Sequence, residues 1–449
     1  VKPSFFSEFQ QLVRLASPLL AAQLLSTGLG AVDTLMAGRY SANDLAGVAI
    51  GSSLWLPAYL LISGLLIGTT SMVARFYGAG DRQAIVATVQ QSIWLSLAVA
   101  APCMYLLWNI DFVLALLSVE PELAGITKAY LLGVAFGLPG VAIFSSLRSF
   151  TEGMGRTKPF MISSLVAFLV NIPLNYGLIY GQWGLPELGG AGCGWATAVS
   201  MWLQVAVLCW FTSQSKRYDN IRLFHRWQGP NWHKMRQVAR LGFPISLAVF
   251  AEVSIFSAIA LLLAPMGALV LASHQIALSV SHLIFMLPLS LSQAITIRVG
   301  YFLGRQRQDL ANFVARTGVL SSCLLALTTM SVILTFRHTI VGWYTTDLEV
   351  QAVAAGLFVW MAIYQLPDQI QIASNAALRA YHDTRTPLAL ILFSYWGVAI
   401  PLGVILARTD WWGQPLAAEG FWIALVVGLS LTAVLLGSRL LRIARRPLA

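Results

Sequence analysis

Charge is scarce in this chain. Asp, Glu, Lys and Arg make up 10% of its 449 residues, where a soluble protein carries roughly 25%. That scarcity excludes a soluble globular fold. Cysteine is scarce as well. Cys103, Cys193, Cys209 and Cys323 stand far apart inside apolar runs, with no C-x-x-C pair, zinc spacing or disulfide framework, and read as small packing residues. Catalytic signatures are missing too: there is no nucleophile–base set and no nucleotide motif. "GAGD" at 78–81 and "GGAGCG" at 189–194 do not run on into Lys-Ser/Thr, so they read as turns and close helix packing rather than phosphate loops. The chain is not expected to be an enzyme, and no cofactor is expected.

Apolar residues are abundant. They make up 57% of the chain, and the mean hydropathy is +0.73. Stretches of about 20 apolar residues, enough to cross a bilayer as a helix, recur throughout. Twelve spans are expected, near 12–37, 47–74, 84–108, 124–147, 160–181, 190–213, 238–264, 269–297, 311–336, 350–378, 386–407 and 416–438. The fold class is an all-α integral membrane protein. The net charge of +10 does not point to nucleic acid, because the basic residues lie in alternate loops. Of the 28 Lys and Arg, only Arg39, Lys128, Arg337 and Arg408 fall on one side. By the positive-inside rule both termini are expected in the cytoplasm, and the basic surplus is a topology signal with some anionic-lipid contact. The first span is expected to be retained rather than cleaved as a signal, because it recurs in a repeat.

That repeat joins two halves. "RLASPLLAAQLL" from Arg14 matches "RLGFPISLAVFA" from Arg240, setting Pro18 against Pro244 at an offset of 226. The same offset pairs Thr70 with Thr296 and Gly78 with Gly304. Further on, an offset of 228 pairs Pro139 with Pro367, Pro159 with Pro387 and Pro173 with Pro401. Two six-helix bundles are expected, 1–213 and 238–449, joined by a basic cytoplasmic linker at 214–237. An even number of spans per repeat implies a pseudo-two-fold along the membrane normal, with a transport site near mid-membrane.

Three acidic residues lie deep in spans: Asp33 in the first, Glu252 in the seventh and Asp368 in the tenth. Each costs on the order of 2.5–3.5 kcal/mol even on a lenient insertion scale. At the repeat offsets they face Ile259, Ser26 and Gly140. A charge placed on one half alone serves function better than architecture. No Lys or Arg lies at comparable depth in the sequence. Each carboxylate is therefore expected to be protonated, bound to a cation or facing water. Sodium, a hard cation, would take carboxylate, carbonyl and amide oxygens. Pro367 frees the carbonyl of Ile363 beside Asp368. Tyr364, one turn before Asp368, would hold a cation by its ring face or hydrogen-bond the carboxylate. Phe256 follows Glu252 by one turn. Asn171 and Asn175 form a second polar pair at i, i+4, facing Ala399 and Gly403. Structural helix–helix bonding would serve those two equally well. Tyr364, Phe256 and Phe285 read as packing residues as readily as substrate contacts, and His274 reads as packing or interfacial. The energy source is expected to be an ion gradient.

The whole chain resembles the multidrug and toxic compound extrusion family, in its NorM-type branch. The resemblance rests on the twelve spans in two halves and the three carboxylates. It also rests on "VDTLMAG" at 32–38, "LRSFTEGMGRTKP" at 147–159, "FPISLAVFAEVSIF" at 243–256, "ASHQIALSV" at 272–280 and "YQLPDQIQIASNAALRAYHDTRTP" at 364–387. It implies export of cationic, amphipathic drugs and dyes in exchange for sodium ions or protons, from a bacterial inner membrane. It implies a second-half cation site, with sodium one candidate, at Glu252 and Asp368 with Tyr364. It implies a first-half site at Asp33 with Asn175 and Asn171, and aromatic cavity walls at Phe256 and Phe285. A monomer is expected. The alternative from the wider superfamily is a lipid-linked oligosaccharide flippase, whose pyrophosphate would call for cavity arginines.

Overall fold

A computed structural model describes residues 4–218, 221–410 and 414–445. The last residues of the basic C-terminal tail lie outside them. Among the described residues there is no strand, and twelve helices are long and apolar enough to cross a membrane. They are α1 Phe5–Tyr40, α2 Ala42–Ala79, α3 Arg82–Trp108, α4 Pro121–Gly153, α5 Lys158–Tyr180 and α6 Ala191–Ser213. Then follow α7 Trp232–Met266, α8 Ala268–Gly304, α9 Gln308–Tyr344, α10 Leu348–Ala380, α11 Arg385–Arg408 and α12 Ala417–Ala444. Most outrun the apolar stretch that announces them, because a helix continues through polar residues until a cap stops it. Gly80, in the left-handed region at φ 76°, ends α2 by donating to the carbonyls of Phe76 and Tyr77. Asp81 then caps α3 through the Ala84 amide.

The repeat is physical. Gly192 at the start of α6 lies on the backbone of Leu178 and Ile179, where a Cβ would collide. Gly420 in α12 lies in the same way on Leu406 and Ala407. Each of these residues stands 228 positions from its counterpart. The turns beside them repeat too: the amide of Leu188 donates to Leu178 O at 2.8 Å, and that of Leu416 to Leu406 O at 3.0 Å. At the 226 offset, Asp81 N donates to Phe76 O and Arg307 N to Phe302 O, both at 3.0 Å.

Two compact units emerge. One holds the chain up to Ala16 and from Leu247 onward; the other is Ser17–Ser246. The divisions fall inside α1 and α7, beside Pro18 and Pro244. In the first unit Leu12 of α1 joins the core with Ala248 and Ile255. Arg298 of α8 grips Glu8 in a two-point ion pair of 2.8 and 2.6 Å. In the second unit the segment before α7 is tied to α3 by buried amides. Gln90 donates to Leu223 O and Arg226 O and accepts from the Gln228 amide. Gln91 likewise pairs with Gly229 O and the Asn231 amide. That part of the basic linker is docked, because these backbone groups find partners only there.

Candidate functional site

In the Ser17–Ser246 unit, Asp33 is 6% exposed, toward the C-terminal end of α1. Asn175 of α5 donates to its Oδ1 at 2.6 Å, and Thr197 of α6 donates to its Oδ2 at 2.8 Å. The same Asn175 amide nitrogen also donates to Asn171 Oδ1 at 2.9 Å. The structure therefore joins the three residues singled out in the first half. Hydrogen bonds to a charged acceptor are worth roughly 1.5–3 kcal/mol each. Asn175 Oδ1 and Asn171 Nδ2 remain buried without a partner among the described residues. The carboxylate, the two asparagine side chains and the threonine hydroxyl are the oxygen-bearing groups that would hold a hard cation in this unit.

In the other unit, Asp368 of α10 is 4% exposed, and Glu252 of α7 is half-buried. Gln371, three residues beyond Asp368 on the same face of α10, donates to Glu252 Oε1 at 3.2 Å. Asp368 Oδ2, Gln371 Oε1 and Gln369 Oε1 are buried oxygens without a donor among the described residues. Unpaired buried acceptors of this kind suit a bound cation or a proton.

One expectation changes here. Tyr364 does not hydrogen-bond Asp368. Its hydroxyl pairs with Ser281 of α8 at 2.9 Å, and its ring packs edge-on to Trp422 of α12 with centroids 5.9 Å apart. Arg379, at the far end of α10, is buried, and its Nε donates to Asn375 O at 3.4 Å. Phe256 packs against the core of its unit, and Phe285 is half-buried. His274 is fully buried, 6.0 Å from the Trp422 ring centroid, with neither ring nitrogen paired among the described residues.

Sequence reasoning missed Thr197, Gln371 and Tyr395. Tyr395 is a buried residue in a π-helical turn of α11 and belongs to the same core cluster as Tyr364. The one-sidedness that exposed the carboxylates would have found all three. At the 228 offset they face Leu425, Ile143 and Ala167.

The MatE family model matches the chain twice, over residues 18–177 and 244–405. The two matches begin at Pro18 and Pro244, the prolines that open the sequence repeat. Multidrug resistance protein PmpM of Pseudomonas aeruginosa is 43% identical over 98% of this chain and 92% of its own length. Multidrug resistance protein NorM of Vibrio cholerae is 40% identical over 96% of this chain and 95% of its own. MdtK of Yersinia pestis is 40% identical over 99% and 98%. Among solved structures, the eukaryotic MATE transporter AtDTX14 has the same fold, with a TM-score of 0.86 at 21% identity, covering 98% of this chain and 99% of that one. The chain therefore belongs to the MatE family of multi-pass membrane transporters.

Proposed function

We propose that this protein is a multidrug efflux antiporter, which exports cationic amphipathic drugs and dyes in exchange for sodium ions or protons. The observation that carries the reading is the Glu252–Gln371–Asp368 cluster, with its buried oxygens lacking donors. The names of the relatives, multidrug resistance proteins of bacteria, support the substrate class. A bacterial inner membrane, cytoplasmic termini and a monomeric unit complete the proposal.

The chemistry is competition for negative charge. Glu252 and Asp368 bind either a proton or a metal cation, and the oxygen set around Asp33 offers a second cation site. A cation taken from outside neutralises the carboxylates and weakens the hold on a cationic drug. Drug taken from inside does the reverse. Alternating access then couples the two fluxes, provided each ligand binds one conformation better than the other. A complete switch of population needs about 5.5 kcal/mol of such preference, which the neutralisation of a buried charge is large enough to supply. Phe256 and Phe285, each half-buried, supply aromatic surface for a cationic substrate, and Tyr364 supports the site from within the core, against Ser281 and Trp422.

The test is drug efflux from proteoliposomes under sodium-only and proton-only gradients. Asp368→Asn and Glu252→Gln are each expected to abolish ion-driven efflux while the protein still inserts. Normal coupled export by the double variant would overturn the reading.

A further inference from the structure

The segment between α6 and α7 is more than a connection. Residues 214–240 carry seven Lys and Arg against one acidic residue, Asp219. Part of the segment is fixed to its unit. Ile221 and Leu223 are buried in a core cluster with Phe150 and Phe160. Gln90 and Gln91 hold the main chain between Leu223 and Asn231. Trp94 adds a bond from its indole nitrogen to Gln228 O at 3.0 Å. These three anchors lie in the third and fourth turns of α3. The segment therefore runs beside a membrane-crossing helix rather than out beyond its end. Its other side carries no protein cover. Arg222, Phe224, Arg226 and Trp227 are all exposed, the two rings at 42% and 46%. Those rings stack on each other, 6.5 Å apart and 10° from parallel, and Trp227 meets Trp94 at 6.2 Å. No carboxylate among the described residues lies within ion-pair distance of Arg222 or Arg226. Water gives no reason to hold two stacked rings outward among guanidiniums. A membrane interface does, because aromatic rings settle at headgroup level and cations settle against anionic phosphates.

We propose that this docked strap is a binding site for an anionic phospholipid, in which Arg222 and Arg226 take the headgroup phosphate and Phe224 and Trp227 lie against the glycerol and upper acyl groups. The docking is what makes it a site. The main chain beneath these four side chains is already ordered, so binding costs less freedom than it would on a loose basic loop. Guanidinium matches phosphate by paired donors as well as by charge. Nucleic acid, another polyanion, suits the patch less, because the strap lies along the flank of a helix that crosses lipid. The inference goes beyond the transport reading and stands without it.

The test titrates full-length protein in neutral detergent with phosphatidylglycerol and counts retained lipid by mass spectrometry of the intact complex. Arg222→Gln with Arg226→Gln is expected to raise the half-saturating phosphatidylglycerol concentration about 25-fold, roughly fivefold for each arginine near an anionic surface. Retention of phosphatidylcholine stays at the parent level. Both positions are exposed, and an unchanged melting temperature checks that the fold is intact. Arg305→Gln with Arg307→Gln removes the same charge from the exposed turn between α8 and α9 and is expected to keep parent binding. Phe224→Ala with Trp227→Ala weakens retention of both lipids. Amide hydrogen exchange locates the site: residues 221–231 exchange more slowly in nanodiscs that contain phosphatidylglycerol than in phosphatidylcholine alone, and the arginine variant loses that difference. Parent retention in the arginine variant overturns the proposal. Equal weakening by the Arg305 and Arg307 pair overturns it in favour of diffuse charge. Full displacement of the lipid by an equal concentration of inorganic phosphate assigns the arginines to a free anion instead. A DNA duplex bound through the same arginines, with phosphatidylglycerol retention unchanged, assigns them to nucleic acid and overturns the proposal as well.

Discussion

At Asp33 the two carboxylate oxygens divide their donors, with Asn175 on one and Thr197 on the other. Thr197→Val keeps the shape and deletes the hydroxyl. It is expected to weaken cation-driven efflux about tenfold or more, in line with roughly 1.5–3 kcal/mol for a bond to a charged acceptor. Thr197→Ser should retain most of the activity. Efflux titrated against the driving cation reads both. His274 poses the opposite case. Both its nitrogens are buried unpaired, so it carries a desolvation cost without a bond. His274→Phe keeps a ring against Trp422 and is expected to leave the melting temperature unchanged or raise it. A loss of more than about 1 kcal/mol on thermal unfolding would mean that the imidazole has a partner in the membrane-embedded protein. The carboxylates were legible because each stands opposite an apolar or small residue in the other half. Thr197 was equally one-sided, opposite Leu425, but a threonine in an apolar helix bonds its own backbone so often that it draws no notice.

Among the helices, α1 and α7 each contribute to both units. The head of α1 is held in its unit by Leu12 and by the Glu8–Arg298 pair. Glu8→Gln removes the charge and leaves Arg298 with a weaker acceptor. The expected cost is about 2 kcal/mol, less than the 3–5 kcal/mol typical of a fully buried pair, because Arg298 is 21% exposed. Faster proteolysis near the N-terminus of the reconstituted protein would register it. The segment before α7 depends on Gln90 and Gln91, since five main-chain groups use them. Gln90→Ala is expected to expose the 221–231 region to trypsin while the spans stay intact. Periodicity revealed the helices, but these anchors were hidden. A glutamine on a helix face says nothing about which distant loop will bring it a carbonyl.

For the molecule as a whole, the repeat makes a symmetrical prediction. Gly192→Leu and Gly420→Leu should reduce the yield of folded protein to a similar extent, because each forces a side chain into the same backbone crossing in its own unit. A large difference in detergent-resistant folded fraction would show that the halves are not packed alike. Hydropathy, basic-loop asymmetry and proline register settled the membrane class, the span count and the internal duplication. They did so because lipid enforces a simple rule, that apolar length and helical hydrogen bonding must coincide. The pairing of Thr197 with Asp33, of Tyr364 with Ser281 rather than Asp368, and of Gln371 with Glu252 belonged to the tertiary structure alone. Those contacts join different spans, or depend on which way a long side chain leans. Apolar patterning marks where each helix lies but leaves its rotation and neighbours to packing.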